Sequence, residues 1–204
     1  MESAPSIPRT LLDGSRDFER KRLIAWRQSL DPHQRDQADQ RIGERLAQIV
    51  LARRPAGVLA LYWPIRGEPD LRAVLGSLVE AGWQLALPSV AGRESPLEFG
   101  RWQPGQAMRA VSFGLMLPDP FEPVLPDLLV IPCVGFDRRG YRLGYGAGFY
   151  DRTLAGRPVP TVGVAYDGCE LTAFAAQPHD RPLDWVVTET RTLGLPAAGR
   201  APAA

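Results

Sequence analysis

The strongest constraint this chain places on its own fold is an alternation of two hydrophobic periods. Six short apolar runs, GVLALYW (57–63), WQLALPS (83–89), LEFGRW (97–102), DLLVIPCVGF (127–136), PTVGVAY (160–166) and DWVVTE (184–189), are fenced by glycine, proline or acids. Runs of that length read as strands, several of them buried on both faces. Between them the spacing changes to three and four. From Ser15 to about Arg53 apolar residues recur at Phe18, Leu23, Ile24, Trp26 and Leu30, then at Ile42, Leu46, Ile49 and Val50. That spacing predicts two helices, the second opened by Asp31 as N-cap and Pro32 in its first turn. Asp70 to Gly82, with Asp70 as cap, and Gly148 to about Ala155 are the other helical segments. Strands alternating with helices predict an α/β domain around a largely parallel sheet. The stretch from Ala91 to Pro126 is rich in glycine and proline and carries the weakest pattern.

The chain has 204 residues, which suits one hydrophobic core. Residues 1–13 and 193–204 are small, proline-bearing and aperiodic and read as tails, leaving 14–192 as a single domain. No apolar run approaches the ~20 residues that cross a bilayer, and the N-terminus lacks the apolar stretch of a signal peptide. The protein is therefore expected in the cytoplasm, away from membranes. Cys133 and Cys169 are the two cysteines; neither sits in a CxxC, and His33 and His179 are scattered. That pattern argues against zinc or thiolate chemistry and for two buried thiols. A net charge of +1 gives no general field for nucleic acid. Of 24 basic residues only Lys21 is a lysine, so anion handling here must rest on guanidinium groups, and a Schiff-base lysine has almost no candidate.

One segment asks for more than a turn. GYRLGYGAGFYDR (140–152) follows the strand LLVIP, enters a helix, and places Gly144, Gly146 and Gly148 at alternate positions. Loops of that kind, at the carboxyl ends of parallel strands, are where open α/β sheets bind ligands. Backbone N–H groups freed of side chains, together with a helix N-terminus, favour an anion. The segment is neither a Walker loop, lacking GK[ST], nor a dinucleotide fingerprint, whose third glycine would fall at Phe149. A tight turn that brings the helix onto the sheet would also use such glycines. Arg138, Arg139, Arg142 and Arg152 surround the loop, and Asp151 stands in the first helical turn. Asp151 either answers the helix dipole or serves as an Mg²⁺ carboxylate. Asp180, in HDRP, is either a turn residue or a second such acid.

The block IPCVGFDRRGYRLGYGAGFYDRTL resembles the signature of the 5-formyltetrahydrofolate cyclo-ligases, also called methenyltetrahydrofolate synthetases. WRQSLDPHQR, LYWPIRGEPDL, FGLMLPDP, VGVAYD and HDRPLDWVVTET stand around it in that family's order, so the resemblance spans roughly residues 15 to 190. It implies a three-layer α/β/α fold similar to that of ribose-phosphate isomerases and CoA transferases. It also implies cyclisation of 5-formyltetrahydrofolate to 5,10-methenyltetrahydrofolate, with ATP as co-substrate and Mg²⁺ as cofactor. Formyl activation by phosphorylation is then the chemical step, and the protein's work is positioning and charge neutralisation. By the same resemblance Arg16 and Arg20, which otherwise read as a solvated helix face, contact ATP. So does the run Arg142, Leu143, Gly144, Tyr145, Gly146, Ala147, Gly148, Phe149 and Tyr150. Arg142 and Asp151 act in catalysis, and Asp151 and Asp180 hold the metal. Trp63, Glu68 and Tyr145 bind the folate; Trp63 could equally be core, although an aromatic at a strand end also suits a pterin ring. Ala147 and Phe149 depart from the commonest residues at their places in the family. The partners implied are small molecules, with no nucleic acid or membrane, and the chain is expected to work as a monomer. Two other readings use the same residues: a sugar-phosphate or acyl-transfer enzyme, which lacks an evident nucleophile here, and a binding protein that has kept the pocket without turnover.

Overall fold

In the computed structural model, which describes residues 16–195 apart from 54, 112–113, 173–176 and 178–179, the predicted alternation is realised. Helices α1 (Arg16–Gln28) and α2 (Pro32–Leu51) lead into β1 (Val58–Ala60). A 3₁₀ turn (Arg72–Val74) and α3 (Leu75–Glu80) connect β1 to β2 (Gln84–Val90). Then follow β3 (Leu97–Trp102), β4 (Met108–Ala110), β5 (Met116–Pro118), β6 (Pro123–Val124) and β7 (Leu128–Pro132). After β7 come β8 (Gly135–Phe136), β9 (Arg142–Leu143), α4 (Phe149–Gly156), β10 (Thr161–Val164), β11 (Trp185–Val187) and β12 (Thr192–Gly194).

Eight strands form one sheet in the order β12-β11-β10-β7-β1-β2-β3-β6. The five in the middle, β11 to β2, are parallel, and β12, β3 and β6 each pair antiparallel with their inner neighbour in the sheet. The central strands are apolar on both faces: Leu59 and Ala60, Leu128 to Ile131, Val162 and Val164, and Val186 and Val187 are all essentially inaccessible. Such continuous burial is what covering layers on both sides of a parallel sheet require. The connections agree. From β1 the chain crosses through α3 to β2 on one side; from β7 it crosses through α4 to β10 on the other. Right-handed crossovers that step in opposite directions put α3 and α4 on opposite faces, which makes three layers.

The point where stepping reverses lies between β1 and β7, and there the chains leaving two adjacent strands diverge and open a crevice. Two features set what surrounds it. The Asp31 carboxylate accepts from the backbone N–H groups of His33 (3.0 Å) and Gln34 (3.1 Å), capping α2 as expected. Asp39, on the buried side of α2, accepts from the Tyr166 hydroxyl at 2.6 Å, and burial pushes its carboxyl up to about 6. That bond ties α2 to the chain leaving β10.

Two expectations change. The weakly patterned 91–126 stretch contains the β4–β5 ribbon and the edge strand β6, too short to show a period of two. β12 takes in Thr192–Gly194, so the edge of the sheet reaches past the boundary at which a tail was expected to begin. The expected tail residues 1–13, and 196–204, lie outside the described residues, as does His179.

Candidate active site

The crevice at the strand-order reversal opens into a cavity of about 800 Å³, a volume typical of ligand sites. Segments far apart in sequence build it: the start of α1, the turn after β1, the end of β2 with the start of β3, the loop from β9 into α4, and the chain around Asp180.

The β9–α4 loop is delivered by a tight hairpin. Asp137, fully buried, accepts from the backbone N–H groups of Arg139 (2.9 Å) and Tyr141 (3.1 Å), and the chain reverses so that β9 pairs with β8. The loop then runs along the cavity. Gly146 (φ 93°) and Gly148 (φ 69°) have left-handed backbone that only glycine adopts without strain. A Cβ at Gly148 would also lie 2.9 Å from Arg152. Gly144 differs: its φ is not left-handed, and among the described residues no atom beyond its chain neighbours lies within 4 Å of where a Cβ would sit.

Arginines tie this loop to its surroundings. Arg20 Nε donates to the Gly144 carbonyl at 2.6 Å and the same guanidinium pairs with Asp17. Arg142, nearly buried, donates from Nη2 to Asp151 Oδ1 at 2.5 Å and from Nη1 to the Arg181 carbonyl at 2.8 Å. One guanidinium thus gathers the first turn of α4 and the segment that carries Asp180. Asp180 in turn is paired with Arg16 at the head of α1. The cavity wall here is a ring of alternating arginines and carboxylates, a charge pattern suited to an anionic ligand with a cation beside it.

Another wall comes from the turn after β1, where Arg66 (φ 49°) and Gly67 (φ 74°) both have left-handed backbone. The turn buries Glu68, whose Oε2 accepts from Ile65 N–H (2.9 Å) and whose Oε1 accepts from the Tyr145 hydroxyl (2.7 Å). Burial raises the Glu68 carboxyl above its ordinary range, opposed by those two bonds and by Arg27 and Arg66. Burial likewise raises Tyr145, with the Glu68 charge adding to it, so the phenol stays a proton donor. Trp63 meets Trp102 edge to face, with ring centroids 6.2 Å apart, and presents its other side to the cavity.

Every site residue expected from the sequence lines this one cavity except Leu143. Leu143 is buried in the core, because β9 points it away from the loop's open side. Two arginines expected around the loop serve elsewhere: Arg139 pairs with Asp137, and Arg138 with Glu170. Arg152 braces the loop from outside the cavity, donating to the carbonyls of Ala147 (2.8 Å) and Arg93 (2.9 Å). Sequence reasoning missed Arg66, Arg93 and Gln177 on the cavity wall, and Arg27 behind it. Nothing in their local pattern separates them from surface residues. Cys133 and Cys169 are free and buried, each pushed up to about 12 by burial, and neither lines the cavity.

Among the described residues no three His, Cys, Asp or Glu side chains converge as a metal cage. Asp151 and Asp180 do line the same cavity, brought together around Arg142. Two carboxylates without a full cage fit Mg²⁺, which keeps most of its waters and takes further oxygens from a bound phosphate.

Fold and cavity together define a class: a three-layer α/β protein with an arginine-lined cavity at the carboxyl ends of its parallel strands. Within that class, the chain belongs to the 5-formyltetrahydrofolate cyclo-ligase family, whose model matches residues 13–189. It is thus an enzyme, of a ligase family. The 5-formyltetrahydrofolate cyclo-ligase of Mycolicibacterium smegmatis is 38% identical over 143 residues, 64% of this chain and 72% of that protein. The 5,10-methenyltetrahydrofolate synthetase of Aquifex aeolicus has a similar structure, with a TM-score of 0.75 and 30% identity over 93% of this chain and 96% of that one. The Mycoplasma pneumoniae 5,10-methenyltetrahydrofolate synthetase superposes with a TM-score of 0.73 at 25% identity, covering 86% and 99%.

Proposed function

We propose that this enzyme cyclises 5-formyltetrahydrofolate to 5,10-methenyltetrahydrofolate, consuming ATP with Mg²⁺ and releasing ADP and phosphate, as a monomer in the cytoplasm. The observation that carries the proposal is that the arginine-and-carboxylate wall and the Trp63–Glu68 wall line a single cavity, so both substrates can meet there. In this reading Arg142, Arg16, Arg20 and the loop 144–150 receive the nucleotide, while Trp63, Glu68 and Tyr145 receive the folate. Asp151 and Asp180 hold the metal ion, which supplies charge neutralisation at the phosphates when bound.

The chemistry follows from the substrate. A formamide oxygen is a poor leaving group, so N10 cannot expel it directly. The formyl oxygen attacks the γ-phosphorus, the bond to the ADP oxygen breaks, and an imidoyl phosphate forms. N10 then attacks the activated carbon, the carbon–oxygen bond breaks, and phosphate departs carrying the former formyl oxygen. Arg142 sits where it can neutralise charge as it develops on the transferred group, and the loop fixes the direction of attack. Substrate labelled with a heavy oxygen isotope in the formyl group should therefore give label in the inorganic phosphate and none in water. Label recovered in water would contradict the phosphorylated intermediate.

Gly144 gives a separate check. The protein leaves room for a methyl group there, so Gly144→Ala should keep its melting temperature. If the loop backbone lies against the nucleotide, the added Cβ meets ligand instead, and the KM for ATP should rise about tenfold, the equivalent of roughly 1.4 kcal/mol. An unchanged KM would place the nucleotide elsewhere.

A further inference from the structure

Helix α1 carries a charged side chain that the proposed chemistry does not use. Arg27 is 1% exposed, so its guanidinium is entirely inside the protein. Its Nε donates to the Arg66 carbonyl at 2.9 Å, holding the left-handed turn that presents Glu68. Its Nη2 donates to the Tyr145 hydroxyl, and that hydroxyl donates onward to Glu68 Oε1. The Arg27 and Glu68 charges are 3.8 Å apart, and Nη1 has no partner among the described residues.

This is a poor arrangement for stability alone. Burying a guanidinium with one donor unsatisfied and its carboxylate beyond hydrogen-bond distance costs free energy, and apolar residues of the same volume commonly do as well or better. What the arrangement does achieve is connection. Tyr145 belongs to the loop between Gly144 and Gly146, and Glu68 belongs to the turn after β1, so this one buried network joins two of the segments that line the cavity. Arg27 fixes both ends at once and, through its stacked approach 5.7 Å from the Tyr145 ring, the plane of the aromatic as well.

We infer that Arg27 is a positioning residue: by holding the Tyr145 hydroxyl against Glu68 it locks the nucleotide loop to the folate turn and sets the register of the two substrates. The inference rests on the cyclo-ligase reading of the cavity and names the device that aligns its halves. It predicts that Arg27 and Tyr145 act as one unit. Arg27→Met keeps the apolar volume, and Tyr145→Phe keeps the ring while removing the hydroxyl. Each should raise the KM for 5-formyltetrahydrofolate and lower kcat, for a combined loss of roughly thirtyfold in kcat/KM. The double variant should be no worse than the poorer single one, because both cut the same link. Arg27→Lys, which restores a donor, should recover part of the loss.

The variants are assayed by methenyl product formation well below their melting temperatures, beside the wild-type enzyme. Losses that multiply in the double variant, to roughly a thousandfold, would show two independent contributions and overturn the inference. So would variants that melt earlier but keep wild-type kcat and KM, since that is a packing role only. If the wild-type enzyme itself forms no methenyl product, the functional reading fails first, and the inference falls with it.

Discussion

Replacing Arg142 with alanine is expected to lower kcat by about a hundredfold or more, making it one of the two most damaging single changes in the molecule. Three separate losses lead to this. The guanidinium proposed to neutralise the transferred phosphoryl group disappears. Asp151, held at 2.5 Å by Arg142, is released into the cavity as an uncompensated carboxylate. The Arg181 carbonyl loses the 2.8 Å bond that keeps the Asp180 segment beside α4. The core strands do not depend on Arg142, and Arg181 is exposed, so water can replace the lost donor and the variant should fold with little change in melting temperature. Arg142→Lys should remain strongly impaired, because an ammonium cannot donate to Asp151, the Arg181 carbonyl and a phosphate in the same plane. Wild-type kinetics in the alanine variant would remove Arg142 from the site.

Asp151→Asn is the second. The amide keeps the shape, and its carbonyl can still accept from Arg142, so packing in the first turn of α4 should survive. The charge is gone, and with it one of the two carboxylates proposed to hold the metal ion. Turnover should fall about a hundredfold, and the Mg²⁺ concentration needed for half-maximal rate should rise. A fall in turnover with the Mg²⁺ requirement unchanged would assign Asp151 to orienting Arg142 instead of holding the metal. An unchanged rate would exclude it from the site altogether.

How much of this was readable in the sequence divides along physical lines. LLVIP and TVGV announced themselves as central strands because a strand buried on both faces must be apolar throughout, and that pattern is local. The Gly146 and Gly148 positions were readable for the same reason: a left-handed backbone restricts the residue type wherever it occurs. Asp31 before Pro32 was an explicit helix start. β4, β5 and β6 were not readable, since two or three residues cannot display a period and their pairing is set by the hairpin around them. Arg27 shows the limit most clearly. On the sequence it lies within a basic amphipathic helix, one of several arginines at helical spacing. Only the fold reveals that it is the one turned inward, to groups 39 and 118 positions away. Arg138 and Arg139 make the opposite point. They sit closer in sequence to the glycine loop than Arg16 or Arg20 do, yet the hairpin at Asp137 turns them outward, while α1 brings the distant pair to the cavity. Of the arginines near the loop in sequence, only Arg142 lines the cavity. Leu143 illustrates the same limit within a single block, its neighbours facing the cavity and its own side chain the core.

The central claim is that one cavity brings ATP and 5-formyltetrahydrofolate together for cyclisation. It is tested most directly by following the methenyl-folate absorbance band after mixing the purified protein with 5-formyltetrahydrofolate and Mg²⁺-ATP, beside a reaction without ATP. The account predicts a rise that requires ATP and is matched mole for mole by ADP. Absence of any rise, with both ligands shown to bind, would contradict it and mark the chain as a binding protein built on the enzyme's cavity.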